Sequence, residues 1–199
     1  MITRKEMTRM LLKEGLLSCL ANNSFESVTV TSLCKASGIT RSTFYLHYSN
    51  IMEIVDDLVD DAIAYSKPGM VDNNNLQTIA NTLSAASNSV LLREAYDSIF
   101  DRLPLCQRII RHKKYLPLFL DEQISEYVLQ RIIGREKDRQ GLVMAEALGV
   151  SFDVGVSIFI FLVHGLYAVN KQYKWSQSDE WLEAQKIIFK LVYRGLQSR

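Results

Sequence analysis

The stretch Val28–Ile54, VTVTSLCKASGITRSTFYLHYSNIMEI, constrains this chain more than any other, because helix caps, a glycine-centred turn and an unusual polar surface coincide in it. Two short helical patterns run from Val30 to Ser37 and from Arg41 to about His47, joined by Gly38, Ile39 and Thr40. Gly38 is free to take the left-handed conformation that closes the first helix. Thr29 and Thr40 each stand just before a helix, where a side-chain oxygen accepts from an orphan backbone N–H. Together these signals predict a helix-turn-helix. Leu33, Ala36, Ile39 and Phe44 are spaced to meet inside the bend, which directs Thr31, Arg41, Ser42, Thr43, Tyr45, His47 and Tyr48 outward. Hydroxyls, a guanidinium, two phenols and an imidazole suit phosphate oxygens and base edges.

This run is similar to the DNA-binding signature of the TetR family of bacterial transcriptional regulators. Thr29, Val30, Leu33, Gly38, Ile39, Thr40, Thr43, Phe44, Tyr45, His47 and Tyr48 stand at matching places and in order. Two positions depart from the family pattern. Cys34 replaces a small Ala, and Ile51 stands where the family commonly has a Lys that meets a phosphate. The resemblance implies an all-α fold, with a three-helix DNA-binding unit over residues 1–50 and a larger helical regulatory and dimerisation domain over 51–199. It also implies that the helix from Arg41 enters the major groove, oriented on the phosphate backbone by Thr43, Tyr45 and His47. Arg41 and Ser42 are the candidates for base readout, and Thr29, Thr31, Thr40 and Tyr48 complete the DNA-facing set.

The formal net charge is only +1, so nucleic-acid affinity has to come from a local patch. Residues 1–50 supply an excess, with Arg4, Lys5, Arg9, Lys13, Lys35 and Arg41 against Glu6, Glu14 and Glu26. Cys19, Cys34 and Cys106 are odd in number and scattered, as expected of a reducing cytosol rather than a disulfide framework or a zinc site. The start, MITRKEMTRM, lacks the apolar core of a signal peptide, so a cytoplasmic location is expected.

From Thr3 to about Asn22 an amphipathic pattern predicts a first helix behind the helix-turn-helix. Arg4, Lys5 and Arg9 at its start read equally as phosphate contacts and as ordinary solvated charges. Asn50 and Glu53 form a capping box that starts the next helix near Ile51. Its Ile51, Ile54, Val55, Leu58, Ala62 and Tyr65 share one face, and Glu53, Asp56, Asp57, Asp60 and Asp61 share another, read as a solvated acidic face rather than a cation site. Pro68 and Gly69 stop that helix, and Asp72–Asn75 make a polar connection.

Helical patterns resume over Leu76–Leu92, Arg93–Leu103 and Pro117–Ile133, with Pro104 and Pro117 as breaks. The basic cluster Arg108, Arg111, His112, Lys113 and Lys114 between them reads as a hydrated face. GREKDRQG, from Gly134 to Gly141, reads as a charged linker or frayed helix end. Phe152–Ala168 is apolar all round yet short for a membrane span, so both of its faces must be covered by protein. With the helix from Asp179 to Leu196, it is expected to form a four-helix interface with a second copy.

Neither a metal-ligating histidine pair, nor a nucleophile elbow, nor a dinucleotide-binding glycine pattern occurs, so no enzyme, metal or cofactor is expected. Tyr65, Tyr96, Phe100, Tyr127, Phe159, His164 and Tyr167 are the candidate contacts for a small-molecule effector. The sequence is therefore read as a ligand-responsive, homodimeric repressor acting on a palindromic double-stranded DNA operator, away from membranes. The alternative is a coactivator or protein-interaction module of the same fold that does not bind an operator alone.

Overall fold

A computed structural model describes residues 3–66, 75–103, 107–108 and 113–197. The expected helix stop at Pro68 and Gly69, the connection over 72–74, the break at Pro104, and Arg111 and His112 of the basic cluster lie outside them. All regular structure in the described residues is helical. The elements are α1 (Arg4–Leu20), a 3-10 turn (Phe25–Ser27), α2 (Val30–Ser37), α3 (Arg41–Tyr45), α4 (Ile51–Ser66), α5 (Asn75–Ala85), α6 (Ser89–Ser98) and a 3-10 turn (Phe100–Arg102). They continue with α7 (Leu116–Leu120), α8 (Ser125–Leu148), α9 (Phe152–Gln172) and α10 (Asp179–Gln197).

These helices gather into two compact units, Met1–Tyr65 with Ile109–Gly134, and Ser66–Arg108 with Arg135–Arg199. The division departs from the expected boundary at residue 50, since the first unit also takes in α4, α7 and the start of α8.

In the first unit Thr3 and Glu6 cap α1 reciprocally, the Thr3 hydroxyl accepting from the Glu6 amide at 3.2 Å and the Glu6 carboxylate from the Thr3 amide at 2.7 Å. Leu12, Leu16, Leu17 and Leu20 form its buried stripe, and Leu33, Phe44, Ile54 and Leu58 are buried with them. Helices α1 and α2 touch so closely that a Cβ on Gly15 would fall 2.0 Å from the Ser37 hydroxyl oxygen. Both flanks of α4 are engaged. Ile54, Val55, Leu58, Val59, Ala62 and Ile63 are buried, whereas Ile51, expected in the buried stripe, is only half-buried and Tyr65, expected beside it, is exposed.

The second unit is organised around Ile79, Leu83, Leu92, Tyr96, Leu166, Trp181, Leu182 and Phe189, with α10 packed on α5 and α6. Lys186 on α10 donates to the Ala86 carbonyl at 2.9 Å, and Arg93 on α6 pairs with Asp179 at 2.8 Å. GREKDRQG is neither a linker nor a frayed end here but lies inside α8. Its Gly141 is explained by a close approach, since a Cβ there would meet the Val156 side chain at 2.3 Å, and a Cβ on Gly155 would meet the Gly141 carbonyl at 2.3 Å. The helix cost of glycine is thus offset by backbone contact between α8 and α9. Among the described residues α9 is long and apolar enough to cross a membrane by length and composition. One face of it, with Phe159, Val163, Leu166, Tyr167 and Asn170, is buried within the unit.

Candidate functional site

The α2–α3 corner is held by short-range chemistry. The Thr29 hydroxyl accepts from the Ser32 amide at 3.1 Å and the Ser32 hydroxyl from the Thr29 amide at 2.9 Å, a reciprocal cap. Gly38 closes α2 at φ 65°, a left-handed conformation in which a Cβ would be strained. The Thr40 hydroxyl then accepts from the Thr43 amide at 3.2 Å and starts α3. Because Leu33 and Phe44 are fully buried, α3 is fixed against α2 despite its five residues. Ala36 and Ile39, expected inside the bend, are exposed and half-buried, so those two large side chains carry the packing.

Thr29, Thr31, Thr40, Arg41, Ser42 and Tyr45 are exposed, Tyr45 to 54%, and Thr43 and His47 are half-buried at the edge of the same surface. Nδ1 of His47 is buried without a hydrogen-bond partner, which leaves Nε2 as the nitrogen able to meet an external acceptor. Leu46, between Tyr45 and His47 in the chain, is an apolar side chain exposed to 81% that was not expected among the outward residues. Its neighbours Tyr45 and His47 were the available signal.

Tyr48 departs from the expected outward direction. It is only 3% exposed, and its hydroxyl donates to Asp57 Oδ2 at 2.6 Å. The Arg9 guanidinium lies over the Tyr48 ring, 4.8 Å from its centroid, and pairs with the same carboxylate. Arg9 is therefore neither a free phosphate contact nor a solvated charge. Burial on its own raises the Asp57 carboxyl, but donation from Tyr48 and Arg9 and the charges of Arg9 and Lys13 carry it below its ordinary value. The Tyr48 phenol is pushed well up, by burial first and then by its bond to Asp57.

Three of the five acids on α4, Asp56, Asp57 and Asp61, are thus paired rather than simply solvated, while Asp60 is exposed. Asp61 pairs with Lys13, and Asp56 meets Arg131 at 2.8 Å and the Tyr127 hydroxyl at 2.6 Å. These contacts explain why α4 and the start of α8 belong with α1–α3. A second brace comes from buried Asp121, whose carboxylate accepts from the Phe25 amide at 2.6 Å and from the Gln123 and Ile124 amides at 3.0 and 3.2 Å. Of the basic cluster, Lys114 is committed to Glu14 at 2.5 Å and Arg108 is buried.

The seven candidate effector contacts are divided between the two units. Tyr65, 57% exposed, and Tyr127, bonded to Asp56, belong to the first unit, whereas Tyr96, Phe100, Phe159, His164 and Tyr167 belong to the second. Tyr96 packs edge-on against Trp181 with ring centroids 5.1 Å apart, Tyr167 against Trp175 at 5.4 Å, and Phe159 is buried. Phe100 and His164 are half-buried. Two open clefts, of about 400 Å³ between Ser87–Leu92 and Asp179–Lys186 and about 540 Å³ between Leu20–Glu26 and Leu120–Gln123, are lined by none of the seven. No model of a known protein family matches the chain, and no curated protein does.

Proposed function

We propose that the chain is a DNA-binding transcriptional regulator of the TetR type, a cytoplasmic homodimer that represses from a palindromic operator and is released by a small molecule. The observation that carries this reading is the α2–α3 surface. Two capped helices joined at a left-handed glycine expose Thr31, Thr40, Arg41, Ser42 and Tyr45 together, and Leu33, Phe44 and the Asp57 cluster hold them from behind. Such a surface presents donors to phosphates along its edge and Arg41 and Ser42 at a helix N-terminus, the end that meets base edges in a major groove. The helix-turn-helix in this reading is α2–α3, with α1 completing the DNA-binding unit inside the larger first compact unit.

Dimerisation is supported by the apolar side chains that α9 and α10 leave uncovered, Phe161 at 72% and Leu191 at 66% exposure, with Val154 and Ile187 exposed on the same two helices. Two such helices from each subunit make a four-helix interface, and a two-fold pair of reading heads matches half-sites about 34 Å apart or a multiple of it. A small molecule releases the operator only if it binds the DNA-free state more tightly. A second reading, an interaction module that does not bind an operator alone, is favoured by one observation, the exposed apolar Leu46 beside Tyr45.

Binding to DNA from the region upstream of the protein's own coding sequence, against unrelated DNA across a salt series, tests the proposal. The expected result is a log-linear loss of affinity with salt and a preference for the upstream DNA. Arg41→Ala should remove about 1 to 3 kcal/mol of discrimination, whereas Tyr45→Phe should weaken both DNAs alike. Absence of binding even at low salt would leave the interaction module as the better account.

A further inference from the structure

The core of the second unit holds a polar cluster that its hydrophobic surroundings do not require. Trp181 donates its indole N–H to Asn170 Oδ1 at 2.8 Å. An indole nitrogen only donates, so this bond fixes which way the Asn170 amide faces. Its Nδ2 is then a donor without a partner, on a side chain that is 1% exposed. One helical turn further along α10, Gln185 is fully buried. Its Oε1 accepts from Gln107 Nε2 at 3.3 Å, and its Nε2 has no partner. Gln107 in turn accepts from the Tyr96 hydroxyl at 3.2 Å, and the Tyr96 ring packs on Trp181. Trp181, Tyr96, Gln107 and Gln185 therefore form a chain of contacts, and both orphan amide groups belong to it or to its partner Asn170.

Leaving a buried donor unmade costs more than a made hydrogen bond returns, so two such groups in one cluster call for an acceptor. We infer that the cluster is a binding site for a small apolar molecule carrying one neutral carbonyl oxygen, a ketone or an amide, received by the Asn170 and Gln185 amides beside Trp181. The donors are neutral, and two neutral amides do not balance a buried carboxylate, which sets the preference for an uncharged oxygen. The inference deepens the ligand-responsive reading above and rests on it for its biological meaning. Its chemistry is separate from DNA. It also relocates the effector contacts, keeping Tyr96 and replacing the scattered aromatics with amides that the sequence reading did not single out.

Calorimetric titration of the full-length protein, without DNA, compares acetophenone with ethylbenzene, which has a similar shape but no oxygen, and with benzoate, which carries a charge. Acetophenone should bind about tenfold or more tightly than either. Gln185→Met and Asn170→Leu should each bring acetophenone towards the ethylbenzene level. The comparison in the unaltered protein decides the matter even where a variant fails to fold. Equal binding of acetophenone and ethylbenzene, preference for benzoate, or no binding of acetophenone would overturn the inference, the last of these being the result expected if the amides merely hold buried water. If acetophenone binds through the amides while the protein ignores DNA, the site stands and the regulator reading fails. If the protein binds DNA but shows no carbonyl preference, the regulator reading stands and the site fails.

Discussion

Each compact unit has a polar hub, and the two are built on opposite terms. Around Asp57 the groups are charged and only partly buried, and Arg9 and Tyr48 converge on one carboxylate with Lys13 nearby. Around Trp181 the groups are neutral amides, almost wholly buried, and two donors are left over. A charged hub near the surface, with its bonds made, fixes geometry: it ties the end of the α2–α3 corner to α1 and α4. A buried neutral hub with bonds unmade stores a preference for a missing acceptor.

The sharpest way to break this comparison is to remove Asp57. Asp57→Ala strands the Arg9 charge and the Tyr48 hydroxyl and should cost about 1.5 to 3 kcal/mol in urea unfolding, the range for hydrogen bonds to charged groups. A loss indistinguishable from that of an ordinary surface substitution would mean that the cluster does not hold the corner.

Acid should reach the same hub by another route. The Asp57 carboxyl is held below its ordinary value of 3.8, so its contribution is present above that pH. It is lost as pH falls through the lower, folded-state value. The unfolding midpoint of the parent should therefore fall faster than that of Asp57→Asn as pH drops below the ordinary carboxylate range, and the two curves should approach one another. Parallel curves would contradict the assignment. The Trp181 hub, built from amides and an indole, adds no comparable acid dependence.

A smaller effect is expected at the corner itself. Thr40→Ala removes the hydroxyl that accepts from the Thr43 amide and should cost about 1 kcal/mol. Thr40→Ser should restore most of it, which urea unfolding of the three proteins would show.

What the sequence made legible was local. Thr29, Gly38 and Thr40 act within three or four residues, and all three hold their expected places in the backbone. The start of α4 was equally readable, because Asn50 accepts from the Glu53 amide at 3.1 Å; the Glu53 carboxylate accepts in return from the Ser49 amide, at 2.9 Å, rather than from that of Asn50. The inward turn of Tyr48 was not readable, since its partner Asp57 is shared with Arg9 from 48 residues away. Nor was the continuity of α8, because Gly141 looks like a breaker until Gly155 is seen against it. The amide cluster was hidden for a similar reason. Gln107, Asn170 and Gln185 are polar letters in separate segments, and only packing brings them round Trp181. The effector contacts were sought among aromatics, of which Tyr96, Phe159 and Tyr167 are buried as ordinary core and Tyr65 is exposed.

The smallest expected change bears most directly on the difference between the hubs. Gln185→Met keeps the length and most of the volume of the side chain while removing both its acceptor and its orphan donor. The acceptor lost is a long one, 3.3 Å from Gln107, and the donor removed was buried without a partner. The two effects oppose each other, because a missing hydrogen bond destabilises and a deleted unsatisfied group stabilises. The net change should lie within about 1 kcal/mol of zero, of either sign, as for other near-isosteric core exchanges. Asn170→Leu makes the control, since it deletes an orphan donor as well but also takes away the acceptor of the Trp181 indole, and so should cost clearly more. Urea unfolding of both variants, read by the fluorescence of Trp175 and Trp181, measures this in the unit concerned. If Gln185→Met costs as much as Asp57→Ala, its amide donor is satisfied in solution, and the two hubs differ in charge and depth but not in whether their bonds are complete.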